Sequence, residues 1–128
     1  SRVNMWLGGD DSKVSLPGEK AQELRTLMGD RAFAEALAVF TEDVQQRLSS
    51  LDEALSANDL AQASVELHTL FGIYAGYGFT ELQHLSKALE ESCQAKLTPP
   101  AESVTRLQTL SDRLLQQLAE FCSEVASA

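Results

Sequence analysis

One histidine on a predicted helix carries the strongest chemical signal in this sequence. His68 lies in the segment ELHTLFGIYAGYGFTEL, residues 66–82, and Gly72 follows it one helical turn later. Neutral imidazole is a competent nucleophile near pH 7. A glycine beside the ring would leave room for a group attached to the imidazole or for an approaching partner. The pattern therefore indicates an accessible histidine nucleophile on a rigid support.

The surroundings of this histidine predict a flat and mildly apolar surface, which suits the docking of another protein. The residues expected around the ring are mostly small: Ser64, Val65, Phe71, Gly72 and Ala75. Two of them also allow a purely structural explanation. A glycine inside a helix costs about 1 kcal/mol relative to alanine, and close packing against a neighbouring helix would equally justify Gly72. Phe71 would equally fit the core.

Composition and charge exclude several classes of function. With 128 residues, 44% of them hydrophobic, the chain is expected to form one domain with a packed core. Its formal net charge of −9 makes nucleic acid and anionic membrane surfaces poor partners, because both are negatively charged. No apolar run of about 18 residues occurs, so no membrane span is predicted. No secretory signal is visible, and the predicted location is the cytoplasm.

The cysteines and histidines form no redox or metal-binding motif. Cys93 and Cys122 lack CxxC spacing and lie in helical patterns, which predicts reduced structural thiols. His68 and His84 are 16 residues apart, without the short spacing of paired metal ligands. We therefore expect no metal in this domain and interpret His84 as a structural or solvated side chain.

Apolar residues recur at helical spacing along most of the chain, and no segment alternates as a strand does. Residues 1–16 are interpreted as a linker or tail. A short helix is predicted from Pro17 to Met28, with Gly29 at its end. The second helix is predicted to begin with Asp30 as its N-cap and to close at Asn58. Its apolar stripe comprises Phe33, Leu37, Phe40, Val44, Leu48, Leu51 and Leu55.

Three further helices follow. Asp59 with Gln62 forms an acidic variant of a capping box, and Thr80 with Gln83 forms the next. The glycines at 76 and 78 are predicted to end the third helix, and Pro99 is predicted at the first position of the last one. The stripes comprise Leu60, Ala63, Leu67, Leu70 and Tyr74 in the third helix, Leu82, Leu85, Leu89, Cys93 and Leu97 in the fourth, and Val104, Leu107, Leu114, Leu118, Phe121 and Val125 in the last.

Long amphipathic helices joined by short connections run antiparallel to their neighbours. The predicted fold is therefore all-α. It is an up-down antiparallel four-helix bundle with a short additional N-terminal helix, in a domain of residues 17–128. The sequence leaves the oligomeric state open.

The spacing around His68 resembles that of a known family, the histidine-containing phosphotransfer (HPt) domains found in hybrid sensor histidine kinases. The resemblance extends over residues 30–125, and its specific part is the segment around the histidine. The segment GFTELQ, residues 78–83, is also similar to the phosphotransfer domain of chemotaxis kinases. The positions that carry the resemblance are His68, Leu70, Gly72, Gly78, Leu82, Leu89 and Glu90.

This resemblance implies a phosphoryl carrier rather than an enzyme. His68 would exchange a phosphoryl group with the aspartate of a receiver domain, in a response regulator or a hybrid kinase. Gly72 would give clearance to the phosphoryl group and the partner. The receiver would supply Mg²⁺, so the domain itself needs no cofactor. The parent protein would act in the cytoplasm, including as the cytoplasmic end of a membrane-anchored kinase.

Two positions depart from the family pattern. The third residue after the histidine is usually Lys or Arg and is Phe71 here, and the fifth is usually small and is Ile73 here. A cation about 4 Å from a phosphoryl charge is worth about 1 kcal/mol in water and about 4 kcal/mol at an intermediate dielectric. Its loss should weaken binding or slow transfer without removing the nucleophile.

These departures keep a second function open. The domain would then be a phosphorylation-independent helical module that binds a signalling partner through the surface around Phe71. A third, unrelated class is a four-helix bundle that binds a small ligand in its core. Against a di-metal bundle of that class, no Glu-x-x-His pair is expected to project into the core.

Overall fold

The computed structural model describes residues 18–127, which form five helices and the turns between them, without a strand. The helices are α1 (Glu19–Met28), α2 (Asp30–Ser56), α3 (Leu60–Tyr77), α4 (Thr80–Gln94) and α5 (Ala101–Ser127). Contacts join α2 to α3, α3 to α4, α4 to α5 and α5 back to α2, so these four helices close into a bundle. The additional helix α1 packs against α2. The predicted fold, a four-helix bundle with a short N-terminal helix, is confirmed.

Apolar stripes on the helices form the core. Burial of one Leu or Phe side chain contributes about 1.5–3 kcal/mol, so these stripes supply the main force that holds the helices together. The largest fully buried apolar side chains are Phe33, Leu37, Val44, Leu51, Leu67, Leu70, Tyr74, Leu107 and Leu118. All of them belong to the stripes predicted from helical spacing.

An aromatic cluster fixes the turn between α3 and α4. The ring of Phe40 on α2 lies 4.7 Å from Tyr77 and 5.7 Å from Phe79, centroid to centroid. Between those two residues, Gly78 adopts a left-handed conformation with φ 76°. A methyl group on this glycine would lie 2.6 Å from Cβ of Lys20, so glycine is required there by both conformation and space. The turn sets the register of α3 against α4.

Of the three predicted N-caps, one agrees with the structure and two differ. Asp59 is the N-cap of α3, and its carboxylate accepts a hydrogen bond from the Gln62 backbone N–H at 3.1 Å. The prediction that Asp30 caps α2 is wrong, because Gly29 holds the cap position and the Asp30 carboxylate pairs with Arg25 instead. The predicted capping box of Thr80 is also wrong.

The turn conformation explains that second error. Phe79 occupies the N-cap of α4, so Thr80 is already the first helical residue, and its hydroxyl donates to the Gly78 carbonyl. A capping hydroxyl would have to lie one position earlier to reach the free N–H groups of the first turn.

Three further boundaries shift. Gly76 lies inside α3, and the helix ends at Tyr77 with Gly78 as its C-cap. The prediction that Leu97 extends the stripe of α4 is wrong: Lys96 has φ 63°, the chain turns away, and Leu97 is 62% exposed. Pro99 precedes α5, which begins at Ala101, so its predicted place at the first helical position is also wrong. At the end of α2, Asn58 forms the turn beyond the helix.

The remaining predictions fall on the cysteines, membrane spans and the N-terminal segment. Cys93 and Cys122 are free thiols, and burial raises the pKa of both, which favours the unreactive protonated form. No helix between residues 18 and 127 is both long enough and apolar enough to cross a bilayer. The predicted linker or tail, residues 1–16, lies outside the described residues.

Candidate functional site

His68 projects from the middle of α3 into solvent. Its neighbours Leu67 and Leu70 are fully buried in the core, whereas the His68 side chain is 68% exposed. Successive helical residues are about 100° apart, which places His68 at the edge of the buried face. The imidazole is therefore carried by a well-packed helix and is open to a partner.

The buried carboxylate of Glu90 on α4 holds one side of the ring. Its side chain is 3% exposed, and Oε2 lies 3.0 Å from Nδ1 of His68. Gln94 Nε2 donates to the same oxygen at 3.1 Å. Lys87 Nζ lies 3.8 Å from the other oxygen, Oε1. An ionised carboxylate only accepts hydrogen bonds, so Nδ1 carries the hydrogen in this contact.

This hydrogen bond distinguishes the two nitrogens of the ring. In neutral imidazole one ring nitrogen is a donor and the other an acceptor. With Nδ1–H donating to Glu90, the lone pair of the ring resides on Nε2, away from the carboxylate. Glu90 thus fixes both the orientation and the tautomer of His68, as carboxylates do for metal-binding histidines.

Phe71 lies beside the imidazole rather than in the core. The two ring centroids are 6.4 Å apart with an interplanar angle of 33°. Lys87 Nζ lies 5.5 Å from the centroid of the Phe71 ring. Core packing therefore does not explain Phe71. The other departure from the family pattern, Ile73, is partly buried against the core.

The remaining predicted residues share the accessible side of α3 with His68. Val65 is 55% exposed, Ser64 and Ala75 are half-buried, and Gly72 is exposed. A methyl group built on Gly72 would meet no atom within 4 Å apart from its own stretch of α3. Close packing of a neighbouring helix is therefore not the reason for this glycine. Open space beside the ring is the explanation that the geometry supports.

A second buried carboxylate fixes α3 against α2. The side chain of Glu66 is 4% exposed, and Arg47 Nη1 donates to its Oε1 at 2.7 Å. Gln62 Nε2 donates to the other carboxylate oxygen, also at 2.7 Å. Polar contacts thus tie α3 to both of its neighbours, to α2 through Glu66 and to α4 through Glu90.

The structure adds Lys87 and Glu90 to the site predicted from α3 alone. Glu90 left a signal in the sequence, because it places a carboxylate on the buried face of α4 beside Leu89. Lys87 left none, since a lysine at the edge of an amphipathic helix is ordinary. His84 is exposed, in agreement with its interpretation as a solvated side chain.

The site is an open surface rather than a pocket. A cleft of about 670 Å³ lies elsewhere, between the α3–α4 turn and α5, and His68 does not line it. Within residues 18–127 no group of three or more His, Cys, Asp or Glu side chains is placed to hold a metal ion. The arrangement suits reaction with a group that another macromolecule presents.

Comparison with known protein families matches residues 35–127 to the family described as Hpt domain. The match covers most of the chain and includes the whole of α3 and α4, with every residue of the site. No curated protein and no solved structure matches the chain.

Proposed function

The chain belongs to the Hpt domain family, whose members carry phosphoryl groups in two-component signalling, and we propose on this basis that His68 is the phosphoacceptor. The domain then serves as a phosphorelay intermediate that accepts a phosphoryl group from one receiver aspartate and donates it to another. The observation that supports this role best is an exposed imidazole whose Nδ1 is held by the buried Glu90.

In the proposed step, Nε2 of His68 attacks the phosphorus atom of a receiver phosphoaspartate. A nitrogen–phosphorus bond forms, the bond between phosphorus and the acyl oxygen breaks, and the aspartate leaves as a carboxylate. No proton moves, because Nδ1 keeps its hydrogen. The ring gains one positive charge and the phosphoryl group carries two negative charges, so the total charge is conserved. Return of the phosphoryl group to an aspartate is the reverse of this step.

Glu90 assists this step as a positioning residue. It lies opposite the nitrogen that reacts, where its negative charge stabilises the positive charge that develops on the ring. Because the carboxylate is buried, this interaction is less screened than one between two exposed charges. The orientation is also fixed before the partner arrives, which lowers the entropic cost of the reaction.

The proposed partner is a receiver domain of a response regulator or a hybrid kinase. It would dock on the face of α3 formed by Ser64, Val65, Phe71, Gly72 and Ala75. Phe71 and Val65 provide apolar contact area, and Gly72 leaves space for the phosphorylated loop. Mg²⁺ belongs to the receiver, where it balances the charge of the acyl phosphate.

The alternative is a phosphorylation-independent interaction module. The observation in its favour is Phe71, an aromatic side chain at the position where the family usually has a cation. Such a module would use the same face of α3 to bind its partner, and binding would not require His68 as a nucleophile.

Transfer from a phosphorylated receiver distinguishes the two functions. We expect a panel of phosphorylated receiver domains to include one that labels this domain. The product should be labile in acid and stable in alkali, as phosphohistidine is. His68→Gln should abolish the labelling without changing the helical circular dichroism.

His84→Gln is the matched control, because it makes the same chemical change at the exposed histidine of α4. It should leave the labelling intact. Receiver binding that survives His68→Gln, without any transferable phosphoryl group on the wild-type domain, would instead support the interaction module.

A further inference from the structure

We propose that Lys87 supplies the cation for the phosphoryl group on His68, in place of the basic residue that Phe71 replaces. This inference rests on the proposed function, since it concerns the charge that arrives with phosphorylation. It assigns a phosphoryl-binding role to a residue on α4, the helix opposite the phosphoacceptor.

The position of the ammonium group is the first argument. Lys87 Nζ lies 3.8 Å from Oε1 of Glu90, whose other oxygen lies 3.0 Å from Nδ1 of His68. The carboxylate of Glu90 therefore lies between Lys87 and His68 and contacts both. The Lys87 side chain is 45% exposed, so its flexible end can follow a charge that appears at the surface.

The aromatic ring at position 71 is the second argument. A phenyl face attracts a cation, and Nζ of Lys87 lies 5.5 Å from the centroid of Phe71. That ring lies next to the imidazole, with 6.4 Å between the centroids. Phe71 thus takes the place of the usual cation on α3, and its ring holds the ammonium of Lys87 from α4 on the same side of the site.

The local charges favour a cation at this position and are the third argument. Before transfer, Glu90 contributes one negative charge that Lys87 offsets. Phosphorylation adds two negative charges on the phosphoryl group and one positive charge on the ring. Arg47, another cation that contacts α3, is committed to Glu66 on the α2 side at 2.7 Å. Lys87 is the ammonium that the structure places against Glu90 and Phe71, the two side chains that flank the imidazole.

Phosphorylation by potassium phosphoramidate tests this role without knowledge of the cognate receiver. The rate of phosphohistidine formation would be measured by intact mass for the wild type and for Lys87→Gln at low ionic strength. We expect the variant to react at least about fivefold more slowly, the factor that corresponds to a cation about 4 Å away in water. The difference should shrink as salt is added, because exposed charges are screened.

Lys20→Gln is the matched control for the loss of one positive charge. Lys20 lies on α1 and contacts the position of Gly78. Gly78 follows His68 by ten residues, so about 15 Å along the axis of α3 separates Lys20 from His68. This variant should react at the wild-type rate. Moving the cation back to α3 in the double variant Phe71→Lys/Lys87→Gln should restore most of the lost rate. If Lys87 only stabilised the fold, a lysine at position 71 would not restore the rate.

Two outcomes would overturn the inference. One is a Lys87→Gln variant that reacts as fast as the wild type while His68→Gln remains unreactive, which would leave the proposed function intact. The other is a folded double variant that reacts as slowly as Lys87→Gln alone. If His68→Gln were labelled like the wild type, the proposed function itself would fail.

Discussion

The two ring nitrogens of His68 have different surroundings, and this difference determines the chemistry of the site. Nδ1 donates to a buried carboxylate, whereas Nε2 belongs to the exposed side of a ring that is 68% accessible. A hydrogen bond to a charged group contributes about 1.5–3 kcal/mol, against about 1 kcal/mol for a neutral pair. Glu90 therefore stabilises the protonated Nδ1 that the proposed phosphohistidine would require.

Replacing Glu90 with glutamine tests this charge. The amide oxygen still accepts a hydrogen bond, but the negative charge is lost, so phosphoryl transfer should slow about tenfold for a loss of about 1.4 kcal/mol. The rate with a phosphorylated receiver would be compared with that of Glu91→Gln, an exposed neighbour on α4. Equal rates for the two variants would show that the charge of Glu90 has no part in transfer.

At the scale of helices, α3 presents the proposed phosphoacceptor, and α4 supplies the carboxylate that contacts it. The turn at Gly78 sets which residues of the two helices face each other, and the register places Glu90 opposite His68 although 22 residues separate them. Close packing does not explain Gly72, because a methyl group there would meet no atom within 4 Å apart from its own stretch of α3. The open space at this position favours a role in the approach of a partner from solvent.

Replacing Gly72 with alanine should therefore separate stability from function. Alanine is a better helix former by about 1 kcal/mol, so the variant should unfold at a higher denaturant concentration. Transfer from a receiver should nevertheless slow, because the added methyl group would lie on the proposed docking face next to His68.

Gly76→Ala provides the matched control on the same helix, since its added methyl group would also meet no atom within 4 Å. It should be stabilised by a similar amount and should transfer at nearly the wild-type rate. A Gly72→Ala variant that is destabilised, or that transfers as well as the wild type, would contradict this account of the glycine.

The sequence predicted the elements better than their contacts, for a physical reason. Helical spacing predicted the buried stripes, and the residues around His68 predicted its accessibility, because both depend on neighbours within two turns. Cap assignments failed at Asp30 and Thr80, since a cap depends on backbone angles that shift by one residue in a glycine-containing turn. The contacts of Glu90 and Lys87 with α3 depend on the α3–α4 register, which no local pattern determines.

At the scale of the whole molecule, a buried hydrogen bond joins α3 to α5 across the bundle. The hydroxyl of Tyr74 lies 2.6 Å from that of Ser111, and both residues are fully buried. Burial raises the pKa of Tyr74 to about 12, against the opposing effect of the hydrogen bond with Ser111. The folded bundle therefore retains the proton of this tyrosine more tightly than the unfolded chain does.

This difference predicts a loss of stability in alkali. The unfolded chain releases the tyrosine proton near pH 10, whereas the folded chain holds it until about pH 12. The contribution of Tyr74 to the unfolding free energy is thus complete below pH 10 and is lost as the pH rises from 10 to about 12. Two pKa units correspond to about 3 kcal/mol of unfolding free energy.

Tyr74→Phe should reduce this dependence. The variant should be less stable at neutral pH by about 1–3 kcal/mol, because the Ser111 hydroxyl loses its partner, and its stability should decline less between pH 10 and 12. Urea unfolding across this range would measure both effects, with Tyr77→Phe for comparison, because burial also raises the pKa of that half-buried tyrosine. If the unfolding free energies of the wild type and of Tyr74→Phe declined in parallel between pH 10 and 12, the decline would not be due to Tyr74.

Identification of the phosphorylated nitrogen tests the central claim most directly. After reaction with a phosphorylated receiver, long-range proton–nitrogen NMR correlations of the uniformly ¹⁵N-labelled domain would locate the phosphoryl group on one ring nitrogen. We predict phosphorylation of Nε2 of His68, with hydrogen retained on Nδ1. A phosphoryl group on Nδ1 of His68, or on His84, would contradict the account.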